Sequence, residues 1–156
     1  MRAFDRLVAR RWAEAGKAVG FDPARIDLLW GVGDNYPHFK KKRGYGVTFW
    51  EGKPPAELYF STKILRAPKA RQDAIVRHEI GHVVDLLVPT ARLDRWAAAR
   101  GYSLAATEEQ RVDDIAEAIW GSRINYDRNL IQTLGRGTYP RPRSLPRGPS
   151  VRGRTA

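Results

Sequence analysis

The chain has 156 residues and a formal net charge of +11, with 42% apolar side chains, five Trp, six Tyr, five Phe and no Cys. That length suits one globular domain with a real core rather than two, and the composition excludes a disordered chain. Without Cys, neither a disulfide framework nor a thiolate metal site is available, so a transition metal has only His and carboxylates to hold it.

From the N-terminus, Phe4, Leu7, Val8, Trp12, Ala15 and Val19 recur at helical spacing and predict an amphipathic helix over 3–19, stopped by Gly20. The Arg residues of this stretch, with no apolar run, do not have the form of a signal peptide. No later stretch approaches the ~20 apolar residues of a membrane span. The expected setting is therefore cytoplasmic, without a membrane. Residues 26–30 form a short apolar run after Asp22-Pro23 and predict a strand, with a helical turn as the alternative. A polar, aromatic loop follows over 31–44, with His38 and the basic run 40–43, which reads as a solvated surface. Residues 45–51 and 56–62 are aromatic-rich and partly alternating across a Gly52–Pro55 turn, the pattern of a β-hairpin.

After Pro68 a long helix is predicted to Leu87 or Val88, where Pro89 stops it. Thr90 is placed to cap a further helix to Arg100, with Gly101 ending it. Thr107 and Gln110 have the spacing of a capping box, which predicts a helix to about Arg123. Beyond Leu134 the chain is mostly Gly, Pro, Arg and Ser. Six Arg and no acid fall in 135–156, leaving +5 for residues 1–134. The expected division is a folded domain, 1–134, and a basic disordered tail, 135–156, with at most weak nucleic-acid contact. The order of elements predicts an α+β domain.

The chemistry concentrates at His78-Glu-Ile-Gly-His82. Four residues apart on a helix, two imidazoles share a face and can bind one zinc. Only three His exist in the chain, so this pairing is informative. Glu79 lies between them, placed to act as general base toward a water activated by the metal. A chance pair of helical His beside a surface Glu is the bland alternative. Against it stand the apolar neighbours on more than one helix face (Ile75, Val76, Val83, Val84, Leu87) and Gly81. A mid-helix Gly costs about 1 kcal/mol against Ala, which makes sense where another backbone must approach closely.

A catalytic zinc needs a third protein ligand and an open position. A metzincin-type continuation fails, because its ligand would fall at Val88. The helix after Thr107 offers Glu109, Asp113 and Glu117, each one turn from the next. With His78-Glu-Ile-Gly-His82, the run Glu109-Gln-Arg-Val-Asp113 resembles the gluzincin pattern. That resemblance implies Glu109 as third zinc ligand and Asp113 as the carboxylate that orients a ligating His. In a second register, Asp113 to Glu117 is similar to the third-ligand helix of the anthrax lethal factor type of zincin. Asp113 is then the ligand, and both assignments stand open. The resemblance covers about residues 56–121. It implies a minimal zincin-like fold, with a small antiparallel or mixed sheet packed on the His-Glu-x-x-His helix and a second ligand-bearing helix.

It also implies a zinc metallopeptidase acting on a protein or peptide substrate. The strand 56–62 would edge the cleft and accept substrate by β-augmentation. Tyr102 is the first candidate for an oxyanion donor, ahead of His38, Tyr126 and Tyr139. Asp85, one turn beyond His82, either orients an imidazole or faces solvent. The compact form and Arg-rich tail look like small zincins of actinobacteria and their phages. A binding or regulatory protein that keeps a zincin core without proteolysis is the alternative.

Overall fold

The computed structural model describes residues 2–34, 44–49, 52–104 and 108–121, with the backbone of 151–152. Helix α1 spans Ala3–Val19, and Gly20 closes it in the left-handed region at φ 86° with its N–H on the Gly16 carbonyl. Asp22 then accepts a hydrogen bond from the Ala24 N–H and starts a 3-10 turn, Pro23–Arg25. The first strand, expected at 26–30, is displaced by that turn and forms β1, Leu28–Val32. Strands β2, Gly46–Phe49, and β3, Ala56–Phe60, pair antiparallel, with Gly46 opposite Phe60 and Thr48 opposite Leu58.

Helix α2, Lys69–Leu87, runs as the Pro68 and Pro89 boundaries predict. Helix α3, Thr90–Ala98, differs from expectation at its start. Pro89 occupies the cap position, and no side chain caps the helix there. Helix α4, Glu108–Trp120, ends three residues short of Arg123, because Gly121 turns left-handed at φ 74°. Thr107 lies outside the described residues, as do His38, the basic run 40–43, Tyr126, Tyr139 and the proposed boundary at 134. Of the tail 135–156, only the backbone of β4, Val151–Arg152, is described, pairing antiparallel with Leu29 and Trp30.

The architecture is α+β, as expected. The sheet is mixed, in the order β2-β3-β1-β4, with β1 parallel to β3. This order corrects one expectation. Ala56–Phe60 is an inner strand, flanked by β1 and β2, while β2 forms the rim beside α2. Burial agrees: Leu58, Tyr59 and Phe60 are all inaccessible, as suits a strand covered on both faces.

One sheet face meets the helices through Leu28, Trp30, Ala56, Leu58 and Phe60, which pack with Phe4, Val8 and Trp12 of α1 and Ile75, Ile80, Val83 and Val84 of α2. Phe4 meets Phe60 edge-on at 5.0 Å between ring centroids. Each such buried aliphatic or aromatic side chain contributes about 1.5–3 kcal/mol. Burial therefore outweighs the helix-propensity cost of Gly81 several times over, and α2 is held by packing. Val47, Phe49 and Tyr59 lie on the opposite face and are also buried.

Polar contacts tie the helices together. Arg11 of α1 grips Asp73 of α2 with two hydrogen bonds, 2.7 and 3.0 Å, and bonds Glu14 at 2.7 Å. The Trp120 indole N–H of α4 donates to the same Glu14 oxygen at 2.8 Å. Arg92 and Trp96 of α3, one turn apart, and Arg100 in the turn that follows donate to the carbonyls at the end of α1: Arg92 to Val19 and the cap residue Gly20, Trp96 and Arg100 to Ala18. These side chains satisfy acceptors that a helix end otherwise leaves to water.

Candidate metal centre

The buried middle of α2 carries His78, Glu79 and His82, all less than 5% exposed. Helix α4 crosses it at close range, and Gly81 is the reason it can. A Cβ at position 81 would lie 2.9 Å from Val112 Cγ1 and 3.2 Å from the Val112 carbonyl oxygen. Both are tighter than normal van der Waals contact. The expected close backbone approach at this glycine is therefore present, and its partner is Val112, between Glu109 and Asp113.

That crossing brings two imidazoles and three carboxylates into one cluster. His78 Nε2 and His82 Nε2 face each other at 3.2 Å, their rings nearly perpendicular. The Glu109 carboxylate spans the pair, with Oε2 2.9 Å from His78 Nε2 and Oε1 3.4 Å from His82 Nε2. The His78, His82 and Glu109 ligand atoms all lie within 4.8 Å of one another, a group that could hold a metal ion. Asp113 is on the other side of the first imidazole, its Oδ1 3.0 Å from His78 Nδ1. Glu108, read in the sequence only as part of a helix start, has Oε1 3.7 Å from His82 Nδ1. Glu109 thus faces the nitrogens that face each other, and Asp113 faces the nitrogen that points away. Glu117 is one turn further along α4 and is not in the metal-holding group.

The electrostatics follow from burial among carboxylates. Burial alone would lower the His78 pKa, but the hydrogen bonds of Asp113 and Glu109, with the charges of Glu79 and Glu109, outweigh it and raise it to about 10. Burial would likewise raise Glu109, yet the hydrogen bonds of His78 and His82 prevail and hold its carboxyl well below the usual range. The carboxylates that favour positive charge on His78 would equally favour a bound metal cation at this place.

Glu79 is fully buried, and burial pushes its carboxyl pKa up against the opposing pull of His82 and His78. The Thr48 hydroxyl lies 2.9 Å from Glu79 Oε2 and 3.2 Å from the Glu79 main-chain oxygen. Among the described residues, the buried Glu79 Oε1 has no hydrogen-bond partner. Thr48 escaped the sequence reading, which weighed the aromatic residues of 45–51 and passed over the small and polar ones. The available signal was that Gly46 and Thr48, two apart on a strand, share a face that the hairpin register turns toward the core.

Asp85 neither orients an imidazole nor simply faces solvent. It is paired with Arg111 of α4 at 2.7 Å, and Arg111 also reaches Asp94 of α3 at 2.9 Å. Tyr102 follows α3 with its backbone N–H on the Ala97 carbonyl and its side chain half-buried. Among the described residues no hydrogen bond joins its hydroxyl to the His78–His82–Glu109 group.

Within the described residues no helix is long and apolar enough to cross a membrane. No protein-family model, curated protein or solved structure matches the chain.

Proposed function

We propose that the protein is a zinc-dependent peptidase, with zinc held by His78, His82 and Glu109. The observation that carries this reading is the convergence of three donor groups: the His78 and His82 Nε2 atoms are 3.2 Å apart, and the Glu109 carboxylate spans them, Oε2 at 2.9 Å from the first and Oε1 at 3.4 Å from the second. With one donor atom from each residue, the three lie within 4.8 Å of one another, and a tetrahedral zinc with bonds of about 2.0–2.1 Å would draw its ligand atoms to roughly 3.3 Å apart. Two imidazoles and one carboxylate are also the donor types of catalytic zinc sites that keep a position open. Asp113 then orients His78 through Nδ1, fixing the tautomer that presents Nε2.

Zinc, when bound, polarises the scissile carbonyl and acidifies water. The work of the chain is proton transfer and positioning. Glu79, adjacent to His78 and buried, takes a proton from the water whose oxygen adds to the carbonyl carbon. As the C–N bond breaks, the same carboxyl returns that proton to the departing amine nitrogen. A base that must also serve as acid benefits from a pKa raised toward neutrality, the direction in which burial moves Glu79.

The test compares the zinc-loaded protein with its Glu79→Gln variant on fluorescein-labelled casein, with zinc counted by elemental analysis. The expected outcome is cleavage by the unaltered protein, a drop of about 10²–10⁴-fold in the variant, and equal zinc in both. Equal cleavage by both would overturn the role of Glu79. Absence of cleavage by the zinc-loaded protein would overturn the peptidase reading in favour of a zincin-like core kept for binding.

A further inference from the structure

Strand β2 packs on α2 and reaches Glu79 of the motif from two positions, Thr48 and Gly46. Thr48 donates its single hydroxyl proton within reach of Oε2 at 2.9 Å. Gly46, two residues earlier on the same face, leaves space that no other residue would. A Cβ there would lie 2.8 Å from Glu79 Cγ and 3.0 Å from both Cδ and Oε1. Gly46 is not in the left-handed region, so the backbone itself does not require glycine at this position. The requirement comes from the carboxylate packed against it. Both strand residues are buried, as is the carboxylate they contact.

The geometry points to Thr48 and Gly46 as positioning residues that decide which oxygen of Glu79 does the chemistry. Thr48 ties down Oε2, and Gly46 admits the rotamer in which Oε1 carries no other bond and is left to accept and return the proton. This inference rests on the peptidase reading and adds to it a division of labour between the two carboxylate oxygens. The contacts that define their role are with Glu79 and not with a metal-holding donor, so their effect is expected on turnover rather than on metal binding. Correct orientation of a reacting group is worth a large factor in rate, and small displacements cost much of it.

The experiment uses the full zinc-loaded chain and the labelled casein substrate. Variants are Thr48→Val, Thr48→Ser and Gly46→Ala. The expected result for Thr48→Val is a kcat lower by about 10–100-fold, with KM and zinc affinity nearly unchanged. Thr48→Ser, which keeps the hydroxyl, should restore most of the lost kcat. Gly46→Ala should lower kcat by a similar factor, because its methyl group must push the carboxylate aside, again with zinc retained. A second readout needs no turnover. In urea unfolding of the zinc-loaded protein, Thr48→Val should raise the unfolding constant about tenfold or more when residue 79 is Glu, and clearly less in a Glu79→Ala background.

Full kcat in Thr48→Val, or an equal stability cost in both backgrounds, would overturn the positioning role while leaving the peptidase reading intact. A Thr48→Ser variant no better than Thr48→Val would overturn it too, since the hydroxyl would then not be what matters. No cleavage by the unaltered protein would overturn the function and the positioning role together. Should Thr48→Val fail to fold, Thr48→Ser and Gly46→Ala decide the matter by the same kcat and zinc measurements.

Discussion

Replacing Gly81 by Ala separates the stability of the fold from the geometry of the metal centre. Two effects oppose each other in the fold. Ala gains about 1 kcal/mol of helix propensity over Gly in a helix interior. Against this, the new methyl would sit 2.9 Å from Val112 Cγ1 and 3.2 Å from the Val112 carbonyl oxygen, and overpacking of this kind costs about 1–3 kcal/mol. The net loss of stability without metal is therefore expected at only about 0–2 kcal/mol. The metal centre has no such compensation. Carbon atoms settle at about 3.5 Å or more, so the contact must open by roughly half an ångström. Val112 is β-branched and stiff, and its carbonyl belongs to the backbone of α4, so the helix itself must retreat. It carries Glu109 and Asp113 with it, one on each side of the point of contact. Metal sites tolerate distance errors of only about 0.2 Å. Zinc affinity should fall by about 10–100-fold, the size of effect seen when an orienting partner is lost. Competition against a chromophoric chelator measures the affinity, and urea unfolding of zinc-free protein measures the fold. Adding Val112→Ala removes the Cγ1 contact and should recover part of the affinity. Undiminished zinc binding by Gly81→Ala would refute the idea that this contact sets the distance between the ligand-bearing helices.

Elemental analysis of protein purified without chelator should give one zinc per chain, falling to near zero in His78→Ala and in His82→Ala. Glu109→Ala should weaken zinc binding well beyond the 10–100-fold expected for Asp113→Ala, and the reverse ranking in a chelator competition would make Asp113 the ligand. The Asp34 carboxylate accepts hydrogen bonds from the Ser61 hydroxyl, the Thr62 N–H and the Thr62 hydroxyl, which hold its pKa below the ordinary 3.8. A depressed carboxyl pKa supplies stability above its unfolded value and loses it as pH falls through the folded one. Asp34→Asn should therefore lower the thermal midpoint at pH 7, with the difference shrinking as pH drops below about 3.8, and a difference unchanged at pH 2 would exclude this origin.

Legibility in the sequence depended on the range of the interaction. Helices α1 and α2 were readable because apolar spacing and their Gly and Pro boundaries act within a few residues. Position 81 was readable because a glycine in a helix interior is locally costly and asks for a cause. The short strand β1 was misplaced by two residues, since the Asp22-Pro23 signal that suggested a strand start instead builds a 3-10 turn. Strand order could not be read, because the parallel partnership of β1 with β3 depends on where the chain passes between them. Asp85 shows the same limit. Its partner Arg111 is 26 residues away, and no local rule distinguishes an exposed carboxylate from one awaiting a distant guanidinium. For the candidate site, the two His and Glu79 were evident from spacing alone. Thr48 and Gly46 were not, since a hydroxyl and a missing side chain acquire meaning only once their strand is laid against α2.

Helix α3 lies in the chain between His82 and Glu109, yet its Arg92 and Trp96 side chains, with Arg100 just beyond it, are spent on the far end of α1. The N-terminal helix and the span that separates the two halves of the cluster are therefore expected to open together. Any excursion that lifts α3 would uncover the carbonyls of Ala18 to Gly20 and at the same time break one contact to α4, the Asp94–Arg111 pair. Amides in the last turn of α1 should then exchange their hydrogens at the pace of α3 rather than at the pace of a frayed helix end. An ion that draws α2 and α4 together would slow that exchange at a place it never touches.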